Sequence, residues 1–348
     1  MDIKVRLLES REQAVAVARC VYTAHGLTYH RHWLYEPDRV LANNRAGHVR
    51  SFVAMLGDRC VAHAAALTPS FELQQDGKPI RGERVRELGL MVVAPGLDQN
   101  AVRAQLVSVI YGWAMEQGLE GLVMRCPTDT TAEQRLLRAM GAIPTAIHLG
   151  SVPTPLARGH EEPLSVVSYY LPLQPAKETT VYLPQTDRDL YDEVYSALGE
   201  PRHIAEPVLP PLAAATNVRV EFDSVRQRGM VHVTRAGPDV EDRVLERVKW
   251  LLGGRIRHVS VSVPLSSPYI PAAMSAWKGN GLCFSGVLPG VTPTGDALLL
   301  QGIRDIEIYP EQLKLLDPLS QQLRDRALMD FEGSRDIRRP ASWMEMAG

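Results

Sequence analysis

The residues best placed to do chemistry lie in one stretch, Glu87-Leu-Gly-Leu-Met-Val-Val-Ala-Pro95, and in the turn and helix that follow it. The stretch is apolar after its first carboxylate and ends at a proline, the pattern of a buried strand about to break. Gly96-Leu-Asp-Gln-Asn100 then makes a polar turn, and Ala101-Val-Arg-Ala-Gln-Leu106 opens a helix expected to run to about residue 117. A strand that feeds a helix N-terminus leaves several backbone N–H groups without intrahelical partners, and these favour an anion, often a phosphate. Asp98, Gln99, Asn100, Ala101, Val102 and Arg103 are therefore the candidate phosphate contacts, mostly through their main-chain N–H groups. Glu87, at the other end of the strand, is the candidate general base. Its alternative is a strand-end carboxylate paired with Arg84 or Arg86.

The elements that must position these groups follow from periodicity and punctuation. Residues 3–8 alternate as a first strand, and Ser10 with Gln13 forms a capping box for a helix over 11–25 whose apolar face is Ala14, Val17, Ala18 and Val21. Pro37 suits the first turn of a short helix. Residues 50–56 and 60–67 flank Gly57-Asp58 as a β-hairpin, and a polar loop at 74–79 leads into the Glu87 strand. Gly118 ends the long helix. A strand at 119–125, a helix from Thr128 to Met140 stopped by Gly141, and strands at 142–149 and 164–171 complete the first half, with a loop around Arg158-Gly-His160.

The order hairpin, helix, strand, helix, strand, strand then recurs through a hairpin at 218–222 and 229–234, a helix at 239–252, a strand at 258–263, a helix at 271–279, and strands at 282–286 and 297–303. Setting Gly141 against Gly281 aligns Leu122–Thr128 with Ser262–Pro268 without a gap. A further helix is expected over 311–329, before a loosely held charged end at 332–339.

The chain has 348 residues, 45% hydrophobic and 22% charged, with a formal net charge of −2. That length suits two domains. The near-neutral balance offers no basic field for nucleic acid. No apolar run approaches the ~18 residues of a membrane span, and the charged first twenty residues do not read as a secretion signal, so the expected location is cytoplasmic. Cys20, Cys60, Cys126 and Cys283 lack ligand spacing and read as buried small hydrophobes. His30 and His32 lack metal-helix spacing, so no metal is expected.

The strand Glu87–Pro95, its turn and helix, and Gly141 ahead of a strand together resemble the GNAT superfamily of acyltransferases, and the whole chain resembles the tandem-GNAT proteins of bacteria. The implied fold is α/β: two GNAT-like mixed-sheet domains in tandem, the first (1–174) with a splayed-strand acyl-CoA cleft, the second (178–309) degenerate, then a C-terminal helix and tail (310–348). The resemblance implies an acyl-CoA, most simply acetyl-CoA, as donor. Its pantetheine would pair with the strand edge at Met91, Val92 and Val93, and its pyrophosphate would lie on the following loop.

Several family positions differ. The loop slots hold Asp98, Ala101 and Arg103, and Leu137 stands where many members carry an acidic-proton tyrosine. Tyr169 or Tyr170 is then the substitute general acid, and Thr128 and Gln134 are further donor contacts or simple caps. The segment carrying Tyr29, His30, Arg31 and Tyr35 falls where the family recognises the acceptor, although these residues also read as an exposed loop with packed aromatics. His63 reads either as a site residue or as a satisfied core histidine. The second half has no phosphate loop. The implied activity is direct acyl transfer to an unidentified small-molecule or peptide amine, by a monomer or homodimer. The alternatives are a non-catalytic acyl-CoA-binding sensor or interaction protein, and a transferase that takes its acyl group from an acyl carrier protein.

Overall fold

The computed structural model describes residues 3–29, 31–68, 84–153, 163–175, 178–199, 202–210, 214–224 and 227–338. His30, the 74–79 loop, the loop at 158–160 and the last residues of the tail lie outside them. The chain divides into two compact units, Met1–Met124 and Arg125–Gly348. The boundary expected near 174–178 thus falls within the second unit.

In the first unit the strands lie in the order β1 (Lys4–Leu7), β2 (Val49–Leu56), β3 (Arg59–Leu67), β4 (Val85–Val93) and β5 (Gly121–Pro127), whose first residues belong here. β1 to β4 pair antiparallel and β4 pairs parallel with β5. The capping box forms: Ser10 Oγ accepts from the N–H of Gln13 and Gln13 Oε1 accepts from that of Ser10, fixing the start of α1 (Arg11–His25). α1 turns Ala14, Val17, Cys20 and Val21 into a core shared with Trp33, Leu34, Val53, Val92 and Val40 of α2 (Pro37–Arg45). α3 (Gln99–Glu116) contributes Leu106, Ile110 and Ala114, all fully buried. Gly118, at φ +66°, takes the left-handed turn that ends it.

The second unit holds α4 (Ala132–Ala139), β6 (Ile143–Val152), β7 (Leu164–Pro172), a small parallel pair β8 (Thr179–Val181) and β9 (Arg202–Ile204), and α5 (Arg188–Leu198). It continues through β10 (Asn217–Asp223), β11 (Arg228–Arg235), α6 (Val240–Gly253), β12 (His258–Pro264), α7 (Ile270–Gly279), β13 (Leu282–Thr292), β14 (Gly295–Ile303) and α8 (Pro318–Arg338). Its main strands lie in the order β7-β6-β13-β14-β12-β11-β10.

The β6–β7 and β13–β14 hairpins match residue for residue. Gly141 and Gly281 both stand at φ +87°, and Gly150 and Gly290 at +57° and +63°. The pairing of β6 slips between Pro144 and Ala146 and between His148 and Val152, and that of β13 slips between Phe284 and Gly286 and between Leu288 and Thr292. Where β6 meets β13 the partners are Ala146 and Gly286, each the counterpart of the other, as a local two-fold axis requires. The gapless alignment of the preceding strands does not hold: β5 ends at Pro127 and β12 at Pro264, and a longer turn and helix α7 absorb the offset.

α8 lies against β6 and β13. It begins and ends later than the tail helix expected at 311–329, because its buried stripe of Leu319, Leu323, Ala327 and Phe331 continues to Ser334. The charged end at 332–338 is therefore helix. A half-buried charge cluster fixes this helix: Lys278 Nζ reaches Asp187 at 2.7 Å and Asp330 at 3.1 Å, and Arg326 reaches Asp330 at 2.8 Å and also pairs with Asp187.

Gly286 sits at φ +147°, and a Cβ there would meet Thr145 O at 2.2 Å and Ala146 Cα at 2.5 Å. The Gly286→Ala variant is expected to lose roughly 2–4 kcal/mol in urea unfolding. The control Gly279→Ala, whose Cβ meets nothing within 4 Å, should leave the midpoint almost unchanged.

Candidate functional site

β4 carries the features that make a site. Its parallel ladder with β5 runs from Val85 opposite Gly121 to Leu88 opposite Met124, and among the described residues extends no further, while β4 itself continues to Val93. On the other side the antiparallel ladder with β3 pairs Ala65 with Gly89 and then resumes at His63 with Val92. Two residues of β4, Leu90 and Met91, thus face one of β3, which is a β-bulge. Leu90 takes φ +53°, a left-handed setting that costs a side-chain-bearing residue ~1 kcal/mol. Beyond the bulge the main chain of β4 offers an edge with peptide groups free of β5.

A buried polar chain holds the bulge from behind. His63 Nδ1 lies 3.0 Å from Leu90 O, and its Nε2 lies 3.0 Å from Ser51 Oγ. A carbonyl only accepts, so Nδ1 carries the proton and Nε2 accepts from the Ser51 hydroxyl. Ser51 Oγ in turn accepts from Asn44 Nδ2 at 3.1 Å, and Asn44 Oδ1 accepts from Ser51 N at 2.7 Å. His63 and Ser51 are fully buried. Burial pushes the His63 imidazole down to about 4, so it is neutral at ordinary pH. His63 is therefore a satisfied interior histidine with no face toward a substrate.

At the other end of the stretch Asp98 caps α3. Its Oδ1 accepts from the N–H groups of Asn100 and Ala101, both at 3.1 Å, and Asp98 O accepts from Val102 N. The amides proposed from sequence for a phosphate are thus already bonded to a carboxylate of the same chain at Asn100 and Ala101, and to the helix itself at Val102. Arg103 Nη2 reaches Gln99 Oε1 at 3.4 Å on the exposed first turn. Val92 and Val102 point into the core, so their side chains take no part, and Met91 is half-buried.

Glu87 is half-buried and lies between Leu67 of β3 and Val123 of β5 in the paired part of the strand. Arg84, one of its two expected partners, bonds Glu120 at 2.5 Å, and Arg86 donates to Gly47 O. The acceptor-side residues are tied into the turn after α1. Tyr35 Oη accepts from Tyr29 N and donates to Gly26 O, Tyr29 is buried, and Arg31 is half-buried.

The remaining candidates belong to the second unit and are occupied internally. Thr128 donates to Ser165 O. Gln134, fully buried, donates to Thr130 O and Lys314 O and accepts from Leu316 N and the Tyr169 hydroxyl. It clamps the segment leading to α8. Tyr169 and Tyr170 are 0% and 2% exposed, so neither stands at a cleft mouth, and burial pushes the Tyr169 hydroxyl well above its ordinary range. The Tyr169 hydroxyl, bonded to Gln134, is not poised to give up a proton. Among the described residues no cluster of His, Cys, Asp and Glu is arranged to hold a metal ion, and no helix is long and apolar enough to cross a membrane.

No family model and no curated protein matches the chain. Solved structures that it resembles include a putative acetyltransferase of the GNAT family from Desulfovibrio desulfuricans (13% identity, 49% of this chain and 99% of that chain, TM-score 0.37). Another is the ribosomal-protein-S18-alanine N-acetyltransferase from Escherichia coli (15%, 51% and 97%, TM-score 0.39). A third is a putative acetyltransferase from Salmonella typhimurium with its cofactor acetyl-CoA (15%, 51% and 97%, TM-score 0.38).

Acid should destabilise this protein through its buried imidazoles. Burial lowers His258 to about 3, as it lowers His63 to about 4. Between those values and the ~6.5 of an unfolded histidine, the unfolded chain binds more protons, so stability falls as pH falls. Urea unfolding at pH ~7 and pH ~5 should show a loss on the order of 1–2 kcal/mol per imidazole.

Proposed function

We propose that the chain is an acyl-CoA-dependent N-acyltransferase of the GNAT type, with acetyl-CoA as the simplest donor and a small-molecule or peptide amine as acceptor. The observation that carries this reading is the bulged strand β4, unpaired with β5 beyond Leu88, with Glu87 on the same strand. The open edge suits the amides of a pantetheine arm, which pair with a strand as another strand would. Glu87 removes the proton of an acceptor ammonium, directly or through a water. The amine nitrogen then attacks the thioester carbonyl, a β4 N–H supports the oxyanion, the C–S bond breaks to expel the thiolate, and the nitrogen gives its second proton to water as the amide forms. No covalent enzyme intermediate is required. With the two tyrosines buried and Leu137 in the helix, the leaving sulfur departs as a thiolate and takes its proton from water. In this reading the second copy of the fold takes over the part of a second subunit, which favours a monomer.

The capped helix terminus favours a second reading of the donor. The Asp98 carboxylate puts negative charge where a pyrophosphate would lie, which weakens the nucleotide end of CoA and matters less for an acyl group on a carrier protein's phosphopantetheine.

Calorimetric titration with acetyl-CoA should show binding, and thiol release across a panel of amines should identify turnover. Glu87→Gln should retain donor binding and lose about 10²-fold or more in rate. Absence of binding at millimolar donor sinks the proposal, and binding without thiol release points to a sensor. Asp98→Asn keeps a capping side chain but removes the charge. It should tighten acetyl-CoA roughly two- to fivefold while leaving acetyl-pantetheine unchanged in the same titration.

A further inference from the structure

His63 is a buried titratable group that the transfer chemistry does not use, yet it makes the bond on which the shape of β4 rests. Leu90 O, displaced from the β3 ladder by the bulge, is bonded by His63 Nδ1. The donor is itself fixed at both ends: Ser51 and Asn44 set the tautomer, and Asn44 is anchored through Nδ2 to Val40 O of α2 at 2.8 Å. The route runs from helix α2 through two strands to a single strained residue, with every hydrogen accounted for.

We propose that His63, as its Nδ1–H tautomer, is the positioning residue of the donor site: it holds the Leu90 carbonyl inward, so that β4 keeps its bulge and presents the main chain of Gly89 to Met91 to the acyl-pantetheine arm. The claim about donor binding rests on the acyltransferase reading; the claim about the bulge does not. Without the imidazole, Leu90 O loses its buried donor, and the left-handed setting of Leu90 loses the bond that offsets its cost. β4 then relaxes toward a regular ladder with β3, and the edge offered to the donor changes register.

Two variants separate positioning from mere packing. His63→Leu fills much of the space and removes the donor, whereas His63→Asn places an amide N–H near the position of Nδ1. Both are first checked for a cooperative thermal transition. In the wild-type chain, nitrogen-detected imidazole NMR should report a proton on Nδ1 and none on Nε2, with no titration near neutral pH. Acetyl-CoA titrated calorimetrically should bind His63→Leu about tenfold or more weakly than wild type, with His63→Asn recovering most of the loss. A folded His63→Leu that binds as tightly as wild type overturns the positioning role. So does an Nε2–H tautomer, or an asparagine variant no better than the leucine one. Failure of the wild-type chain to bind acetyl-CoA takes down the acyltransferase reading and the donor-binding role together, while the NMR result still decides whether His63 holds Leu90.

Discussion

One carbonyl, that of Leu90, points to a side chain instead of to the neighbouring strand. A regular β4 would pair evenly with β3 and present an ordinary edge. The bulge at Leu90 and Met91 breaks that evenness on one side, and the end of the β5 ladder at Leu88 leaves the other side open. The cost is a leucine with a positive φ and a backbone acceptor removed from its ladder, both packed against the core of the unit. Such an arrangement persists only where its surroundings over-determine it, and the chain Asn44–Ser51–His63 supplies that determination. The core of the first unit is thus arranged around keeping a short length of main chain irregular.

The two ends of the strand-turn-helix element are in different electrostatic states. The strand end offers neutral peptide groups and one carboxylate. The helix end has its positive potential partly spent on Asp98, bonded to two of the first-turn amides. A ligand that leans on main-chain pairing meets a prepared surface at β4, whereas one that leans on phosphate recognition meets a competitor already in place. Arg103 on the exposed first turn is the cationic group nearest in sequence to that competitor.

Element order was largely legible in the sequence, because it depends on local signals. The capping box at Ser10, the Gly57-Asp58 turn and the glycine after α3 all did what their chemistry dictates. The correspondence of Gly141 with Gly281 was also readable, since both end a helix by the same left-handed turn. The site was less so. Tyr169, Tyr170, Thr128 and Gln134 have the right functional groups, but their burial and partners are set by segments far along the chain, among them residues 314–316, which no local pattern reveals. His63 was legible as a core histidine; the bond it makes was not, although a glycine in mid-strand at Gly89 marks where a bulge lies. Phe331 carries the apolar stripe of α8 past residue 329, and the buried contact after it is a serine, Ser334, which a hydrophobic pattern does not count.

The meeting of Ala146 with Gly286 has a consequence for how such a pair of hairpins can evolve. In two separate identical chains brought together about this axis, the central residue would have to be the same on both sides. Two alanines would collide, since a Cβ on Gly286 would come within 2.6 Å of that of Ala146, and two glycines would leave a gap and a looser backbone. A single chain that carries both strands escapes this restriction. It places a methyl group on one side and a hydrogen on the other, a heterotypic solution that a symmetric pair of identical subunits cannot reach. Once fixed, that division of labour makes the two strands non-interchangeable, and each is free to diverge around its own half of the contact.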